Sequence, residues 1–539
     1  MAKKREVYYY KNRLKGLYLD EETCDKLESL MSIDRQGGYI TELKNIIYDL
    51  SPEEVEIVRD TYSTEFVELR KGTLENHQTV GVAFMYYAKR VILGDSVGLG
   101  KTVEVCGLCN MLKEAYGKRK EAFRYLYLTN KTIVGQSRDE LIRFTGEYVG
   151  IIYGNNGMKN SVKDFCSMYS DYSAPECSYA GTHSILNSVD FQDWFRGFLE
   201  ENGYPPFDMI VIDESGDILS NNSTQIYENA KFFLGYIDYI VLLNATTFEK
   251  ALAMFYNQLS FVDDTLLPTK TDFSKKYEIM DYHGPYPRPS GKYKNAEEFR
   301  DLVAYRYLAR TRKGLDELKV EAGIESADEV NMVNCSAERV VVPLSDEQKY
   351  LLKTTGMPQM VYDCPSYFNM GIPTTTATTP KMLALLELLS GKLRNEKSVL
   401  IYSRYKEAQA NIQEMLIEYG FDCEVLNGDS SQKVREATVS AFRNGDIPIL
   451  ITNVQKGLNF GNCNWCIFYT YDPNPNKMVQ FEGRMTRSMK IENKHVVVLL
   501  SEGNELKTFN SVISDRAKAS DIFAGSDYSC VLSLLKEGK

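Results

Sequence analysis

The chain reads as an α/β protein with two lobes of doubly wound parallel sheet. Three observations lead there. Short, almost continuously apolar runs recur: "FRYLYLTN", "FDMIVIDES", "YIVLLNATT", then "SVLIYS", "DIPILITN", "CIFYTYDP" and "HVVVLL". Each has the length of a strand and lacks apolar–polar alternation, as expected of parallel strands buried on both faces. Helix-period segments lie between them, among them "PKMLALLELLSGKL" and "YKEAQANIQEMLIEYG". The strand-like runs also fall into two groups, Ala88–Ala245 and Ser398–Leu500, in a chain whose 539 residues exceed one ordinary core.

Taken in order, residues 1–70 resemble neither group and are expected to form a small accessory domain. "REVYYYKNRLKGLYL" suits a hairpin, and Ser51-Pro52-Glu53-Glu54 is a capping box opening a helix. Residues 71–262 make the first lobe. Residues 263–380, irregular and carrying "GPYPRPSGKYKN" and "PTTTATTP", are expected to be helical protrusions and a linker. Residues 381–539 make the second lobe, and no internal repeat is evident.

Composition narrows the class. Hydrophobic content of 43% and charged content of 25% are those of a globular protein. No apolar run has the length of a bilayer crossing, so no membrane partner is expected. The basic start "MAKKREVYYYKNRLKG" lacks the apolar stretch of a secretory signal. Eleven scattered cysteines read as reduced thiols of a cytoplasmic protein. Cys106-x-x-Cys109 and Cys463-x-x-Cys466 lie far apart in sequence with no His near either, which argues against a zinc site. A net charge of −11 argues against non-specific nucleic-acid binding by the whole surface, but leaves room for a local basic groove.

The stretch "VILGDSVGLGKTVEVCGL", Val91–Leu108, passes from apolar strand through glycines to Lys-Thr and a helix. That is a phosphate cradle. Gly98 and Gly100, on either side of Leu99, let backbone N–H groups turn inward, and the following helix points its positive end at the phosphates. Lys101 is placed to neutralise β- and γ-phosphates, and the Thr102 hydroxyl to hold Mg²⁺. The position five before Gly100 is Asp95, where the generic loop has glycine. "MIVIDES" ends an apolar strand in Asp213-Glu214, where an open α/β sheet carries its ligand chemistry. Asp213 suits Mg²⁺, usually through water, and Glu214 suits a base that orients and deprotonates an attacking water. In "MVQFEGRMTR", Arg484 and Arg487 are three apart and share a face on a helix, with Gln480 and Gly483 ahead of them. Arginines so placed stabilise the charge of a transferring phosphoryl group.

With these residues in view, the sequence resembles helicase superfamily two, and within it the Swi/Snf-like ATPases. The similarity runs in order from His77 to Leu500, nearly four fifths of the chain. "HQTVGVAFM" looks like the family's Q-type motif and "GDSVGLGKTVE" like its D-E-x-G-L-G-K-T. "LYLTNKTIVGQSRDELIRF", "SYAGTHSIL", "LLNATTFEKALAMFYNQLSFV" and "VLIYSRYKEAQ" are similar to motifs Ia, Ib, III and IV. "EEFRDLVAYRYLARTR" resembles a basic segment between lobes, and "KGLNFGNCNWCIFYTYDPNPNKMVQFEGRMTR" covers motifs V and VI. Three places depart. The family's D-E-A-H or D-E-G-H is Asp213-Glu214-Ser215-Gly216, its T-A-T-P is Asn244-Ala245-Thr246-Thr247, and its I-G-Q after the last arginine is Ser488-Met489-Lys490.

The resemblance implies two RecA-like lobes closing over ATP and Mg²⁺, with Lys101, Asp213, Glu214, Arg484 and Arg487 as the hydrolytic set. It puts Gln78 near the adenine, and Gly98, Leu99, Gly100, Lys101, Thr102, Gly457 and Gln480 at the nucleotide. It assigns backbone contacts to a nucleic acid, most readily duplex DNA, to Thr129, Thr182, Ser403, Arg404, Thr452 and Asn453, each of which also suits plain strand-end capping. Three functions stay open at this point. One is a duplex-DNA translocase. Another is an ATPase that works on a protein such as RNA polymerase through residues 1–70. The third is a binding module without turnover, which the changes in motifs II and III motivate. The compact linker suits a bacterial or viral protein of the cytoplasm.

Overall fold

The computed structural model describes residues 74–511 except 119–121, 155–158, 245–251, 267–268, 282–287, 305, 316–333, 369–377, 455–459, 461–462, 473–474 and 486–492. The expected accessory domain, with its hairpin and Ser51 capping box, lies outside the described residues. Those described form two compact units, 74–315 and 334–511.

The first unit opens with helix α1 (Asn76–Ala88), started by a capping box between Glu75 and Gln78. Then follow β1 (Arg90–Leu93), α2 (Lys101–Lys118), β2 (Tyr125–Thr129), α3 (Val134–Thr145) and β3 (Val149–Ile152). β4 (Ser178–Thr182), α4 (Val189–Asn202), β5 (Met209–Asp213), β6 (Tyr239–Leu243) and α5 (Leu252–Val262) continue the unit. β7 (Glu278–Asp281) and β8 (Arg288–Tyr293) form a separate antiparallel pair, and β9 (Tyr307–Leu308) closes the series. Seven strands make one sheet in the order β3-β4-β2-β5-β6-β1-β9, with every pairing parallel. Val91, Ile92 and Leu93 are fully buried, as the runs without alternation require. Each such side chain contributes about 1.5–3 kcal/mol by leaving water.

The second unit holds β10 (Asn334–Val342), α6 (Pro380–Ser390), β11 (Val399–Tyr402), α7 (Lys406–Glu418) and β12 (Cys423–Leu426). It ends with α8 (Gln432–Asn444), β13 (Ile449–Thr452), β14 (Trp465–Phe468), α9 (Pro475–Glu482) and β15 (Asn493–Ser501). The sheet order is β10-β15-β14-β11-β13-β12, again parallel throughout. Alternate residues serve opposite faces. Leu400, Leu450 and Val498 pack with Phe442 and Phe481, while Ile401, Ile451 and Leu499 pack with Leu385, Ile412 and Leu416. Both faces are covered, which is why the strands read as unbroken apolar runs.

The two doubly wound sheets agree with the expected fold class. The stretch 263–380 differs from expectation, because it supplies β9 to the first sheet and β10 to the second. Neither has the signature of a buried strand. β9 is two residues long, and β10, "NCSAERVVV", lies at a sheet edge.

Candidate nucleotide-binding site

Because every strand of the first sheet points the same way, all their carboxyl ends meet one edge. The register aligns Leu93 with Leu243, Asp213 with Leu243 and Thr129 with Thr182. The phosphate loop after β1, Asp213 at the end of β5 and Asn244 just past β6 thus lie along one edge although their positions in the chain are remote.

The loop has the conformation its glycines permit. Gly98 and Gly100 take φ of 92° and 84°, the left-handed region that side chains disfavour. Lys101 opens α2, and its Nζ donates to the carbonyls of Asp95 at 2.6 Å and Ser96 at 3.3 Å. Gln78, which the resemblance puts near the adenine, is bonded at both ends of its amide. Its Oε1 accepts from Glu75 N at 2.9 Å and its Nε2 donates to Leu99 O at 3.1 Å, so its amide is a strut between α1 and the loop. A Cβ at Gly100 would collide with that amide. His77 Nε2 reaches the same Leu99 carbonyl at 3.1 Å. Burial, and then the nearby Arg310 cation, lower its pKa.

Asp95, the departure from the generic loop, is the hub of a buried ionic cluster. Arg310 Nε donates to its two carboxylate oxygens at 3.0 and 2.8 Å, and Arg310 N to Oδ1 at 2.9 Å. Arg310 Nη2 donates to Glu104 Oε2 on α2 at 2.7 Å, and Nη1 to the His77 carbonyl. The charged side chains of Arg310, Asp95 and Glu104 are all fully buried. Burial raises the pKa of Glu104 well above the carboxylate range, against the pull of Arg310. Sequence reasoning missed Arg310 and Glu104. The available signal was Asp95 itself, an acid at the end of a buried strand that demands a cation. Nearby, Arg306 Nε donates to Asp263 at 3.1 Å and its Nη1 to Ala88 O at 2.8 Å. Arg306 and Arg310 of the basic segment are therefore core residues.

At the end of β5, the Asp213 carboxylate accepts from Thr129 Oγ1 at 3.3 Å and from Glu214 N at 2.9 Å. Tyr127, buried in β2, lies near Asp213 and Thr102. Burial raises the Asp213 pKa, while the Lys101 ammonium pulls it down. His183, just past β4, sets Nε2 2.7 Å from the Asp213 carbonyl. Glu214 has φ of 52°, in the left-handed region. Lys101, Thr102, Asp213 and Glu214 are thus gathered in one place. An ammonium, a hydroxyl, a carboxylate and a second acid beside a glycine loop that opens a helix fit a magnesium nucleotide.

The residues assigned to nucleic acid divide. Thr129 is fully buried and serves Asp213. Thr182 is buried, with Oγ1 accepting from Gly154 N at 2.9 Å. Ser403 and Thr452 are fully buried at the ends of β11 and β13, and Thr452 Oγ1 accepts from Val454 N at 3.0 Å. Strand ends carry N–H groups that no further strand pairs, and the Thr182 and Thr452 hydroxyls accept from such groups, whereas Ser403 Oγ has no partner among the described residues. Arg404 is exposed and Asn453 half-buried, with Asn453 Nδ2 donating to Arg404 O at 3.4 Å.

Arg484 also differs from expectation. Helix α9 stops at Glu482, and Arg484 lies in the turn beyond, its N donating to Phe481 O at 3.0 Å. It is 6% exposed, so it belongs to no solvated helix face. Glycine at 483 is a poor helix former, which suits the stop there. Gln480 lies on α9, while Gly457 and Arg487 fall outside the described residues. Cys106, Cys109, Cys463 and Cys466 are buried, and burial pushes the Cys463 thiol up to about 12. Among the described residues, no helix is long and apolar enough to cross a membrane.

The sequence matches the SNF2-related domain over residues 77–363 and the helicase conserved C-terminal domain over 380–489. It is 24% identical over 445 residues to the ATP-dependent helicase YqhH of Bacillus subtilis, covering 76% of this chain and 71% of that one. It is 22% identical to Protein CHROMATIN REMODELING 4 of Arabidopsis thaliana, covering 88% and 22%. It is 20% identical to the DNA repair and recombination protein RAD54-like of Drosophila grimshawi, covering 86% and 64%. The chain thus spans less than two thirds of the last two relatives. Among solved structures, the Sulfolobus solfataricus SWI2/SNF2 ATPase core in complex with dsDNA aligns at 17% identity and a TM-score of 0.37, covering 87% of this chain and 96% of that one.

Proposed function

This chain belongs to the SNF2-related family of helicase-like, ATP-hydrolysing proteins, and from that premise we propose that it is a motor driven by ATP along duplex DNA. The observation that carries the reading is the meeting of Lys101, Thr102, Asp213 and Glu214 at one sheet edge. Lys101 would neutralise the terminal phosphates, and Thr102 and Asp213 would hold Mg²⁺. The ion would spread the charge that develops between the β- and γ-phosphates. Glu214 would take the proton of the attacking water. Alternate binding and release would then bias two conformations, which is what stepping along a strand requires. With a net charge of −11, the grip on DNA would be local and built on phosphates, hence indifferent to sequence. We place this activity in the cytoplasm, where eleven thiols would stay reduced.

The test is ATP turnover on a panel of duplex DNA, single-stranded DNA, forked DNA, duplex RNA and no nucleic acid. Duplex DNA should stimulate most. A rate untouched by every nucleic acid would remove the motor, and stimulation only by a protein partner would shift the work to residues 1–70. Lys101→Ala and Glu214→Gln should each lower turnover by about 10²–10⁴-fold, the range expected for losing a proton-transfer group or a comparable electrostatic contact. Glu214→Gln should still bind ATP.

A further inference from the structure

Two of the departures from the family pattern, Ser215 in motif II and Asn244 in motif III, meet on one side chain. Ser215 Oγ donates to Gln258 Oε1 at 3.1 Å, and Asn244 Nδ2 donates to the same oxygen at 3.2 Å. Ser215 and Gln258 are fully buried and Asn244 is 2% exposed. Gln258 lies on α5, next to Asn257, whose Nδ2 donates to Ser220 O and whose carbonyl accepts from Tyr227 Oη at 2.9 Å. The helix is therefore fixed against the segment that follows Glu214.

The backbone extends this link in both directions. Ser215 N donates to Leu243 O at 3.0 Å, and Asn244 N donates to Leu93 O at 3.0 Å. A path of bonds runs from the end of β1, where the phosphate loop starts, through Asn244 and Gln258 to Ser215. Ser215 is the neighbour of Glu214, whose left-handed backbone at φ 52° persists only if its surroundings hold it.

We propose that Gln258 is a positioning residue for the hydrolytic base: its one amide oxygen ties Ser215, and with it Glu214, to the end of β6 and the strand that bears the phosphate loop. Where the family uses a histidine after the acid pair, this chain routes the link through a buried amide. The inference rests on Glu214 being the base. Only the oxygen works in it, since Gln258 Nε2 has no partner among the described residues.

The experiment compares ATP turnover of the full chain and its Gln258→Met, Gln258→Glu, Ser215→Ala and Ser215→Ala/Gln258→Met variants, with Glu214→Gln alongside. Each is assayed with the nucleic acid that gives the fastest rate, and folding is followed by thermal unfolding. Displacing a base by around 1 Å costs about 10²-fold. Gln258→Met and Ser215→Ala should therefore each lower kcat by about 10–100-fold while KM for ATP stays within about twofold. The double variant should fall no further, because one bond is lost in all three. Gln258→Glu, which keeps the acceptor, should retain most of the rate. Parental kcat in a folded Gln258→Met, beside an inactive Glu214→Gln, would overturn the relay and leave the base assignment standing. A fully active Glu214→Gln would overturn the base assignment and the relay with it. Should Gln258→Met fail to fold, Ser215→Ala decides between the same outcomes.

Discussion

Replacing Arg310 by methionine is the sharpest probe of how the phosphate loop is held. The guanidinium bonds Asp95, Glu104 and the His77 carbonyl with no exposed surface. Methionine has similar reach and no charge, so the change leaves two buried carboxylates without a cation. Breaking a buried ion pair by removing one partner costs about 3–5 kcal/mol. With two acids stranded, the upper part of that range applies. For a unit of this size each kcal/mol lowers the melting temperature by about 2–4 °C, giving a drop of about 8–20 °C. Arg310→Lys should restore little, since one ammonium cannot span three acceptors in a planar fork. The pH dependence has a definite sign. The pKa of Glu104 is raised in the folded state, so protonation favours the fold, and its contribution is present at low pH and lost as pH rises. Removing the arginine removes the main force opposing that rise. The variant should therefore lie closer to the parent at pH 5 than at pH 8. Scanning calorimetry of the full chain at both values measures this. A loss below about 1 kcal/mol, or a gap that widens at pH 5, would mean that the cluster is not what holds the loop.

Two other perturbations have worked signs. Gly81→Ala would put a methyl group on Glu104 Oε2 and 2.7 Å from Arg310 Nη2. It should destabilise by about 1–3 kcal/mol as an overpacked site, whereas alanine at Gly203, which has open space, should show only its backbone cost at φ 76°. In the second unit, Lys381 Nζ donates to Asp363 at 2.8 Å and Glu505 at 2.7 Å with all three side chains buried. Burial raises the Asp363 pKa from 3.8 to about 6 against the pull of Lys381. Stability of that unit should fall as pH rises from about 4 to about 6, the native state holding a proton that the unfolded chain has released. Urea unfolding of a Trp194→Phe variant, which leaves Trp465 as the reporter, should show that slope, and Asp363→Asn should flatten it.

The strands buried on both faces were legible because burial removes alternation. "FRYLYLTN", "FDMIVIDES" and "VLIYS" yielded β2, β5 and β11. β4, "SYAGT", is as buried as those and was not legible as a strand. Its small residues serve close packing: a Cβ at Gly181 would collide with Ile185. β10 and β9 were read as linker, since an edge strand and a two-residue strand carry too little apolar sequence. The phosphate loop and the acid pair were legible because their chemistry is local to short motifs. Arg310, Glu104 and Gln258 were not, because each acts on a residue remote in sequence, 215 positions away for Arg310 on Asp95. The hydroxyls of Thr129, Thr182 and Thr452, which the resemblance assigns to nucleic acid, bond here to Asp213, Gly154 N and Val454 N. Sequence carries the identity of a strand-end hydroxyl but not the direction in which it points.

The departures from the family pattern bear on whether turnover has been lost. A motif that decays after losing its function accumulates polar residues wherever mutation leaves them, and inside a core most would be unpaired, at about 1–3 kcal/mol each. Ser215 and Asn244 both replace other residues of the family pattern, and both are buried. Each is nevertheless bonded, and both bonds go to Gln258. At this junction the cost that remains falls on Gln258 Nε2. One side chain on α5 thus satisfies both departures. That is the pattern of a site rebuilt around the same lysine and acid pair, and it weighs against a module that has merely kept its fold.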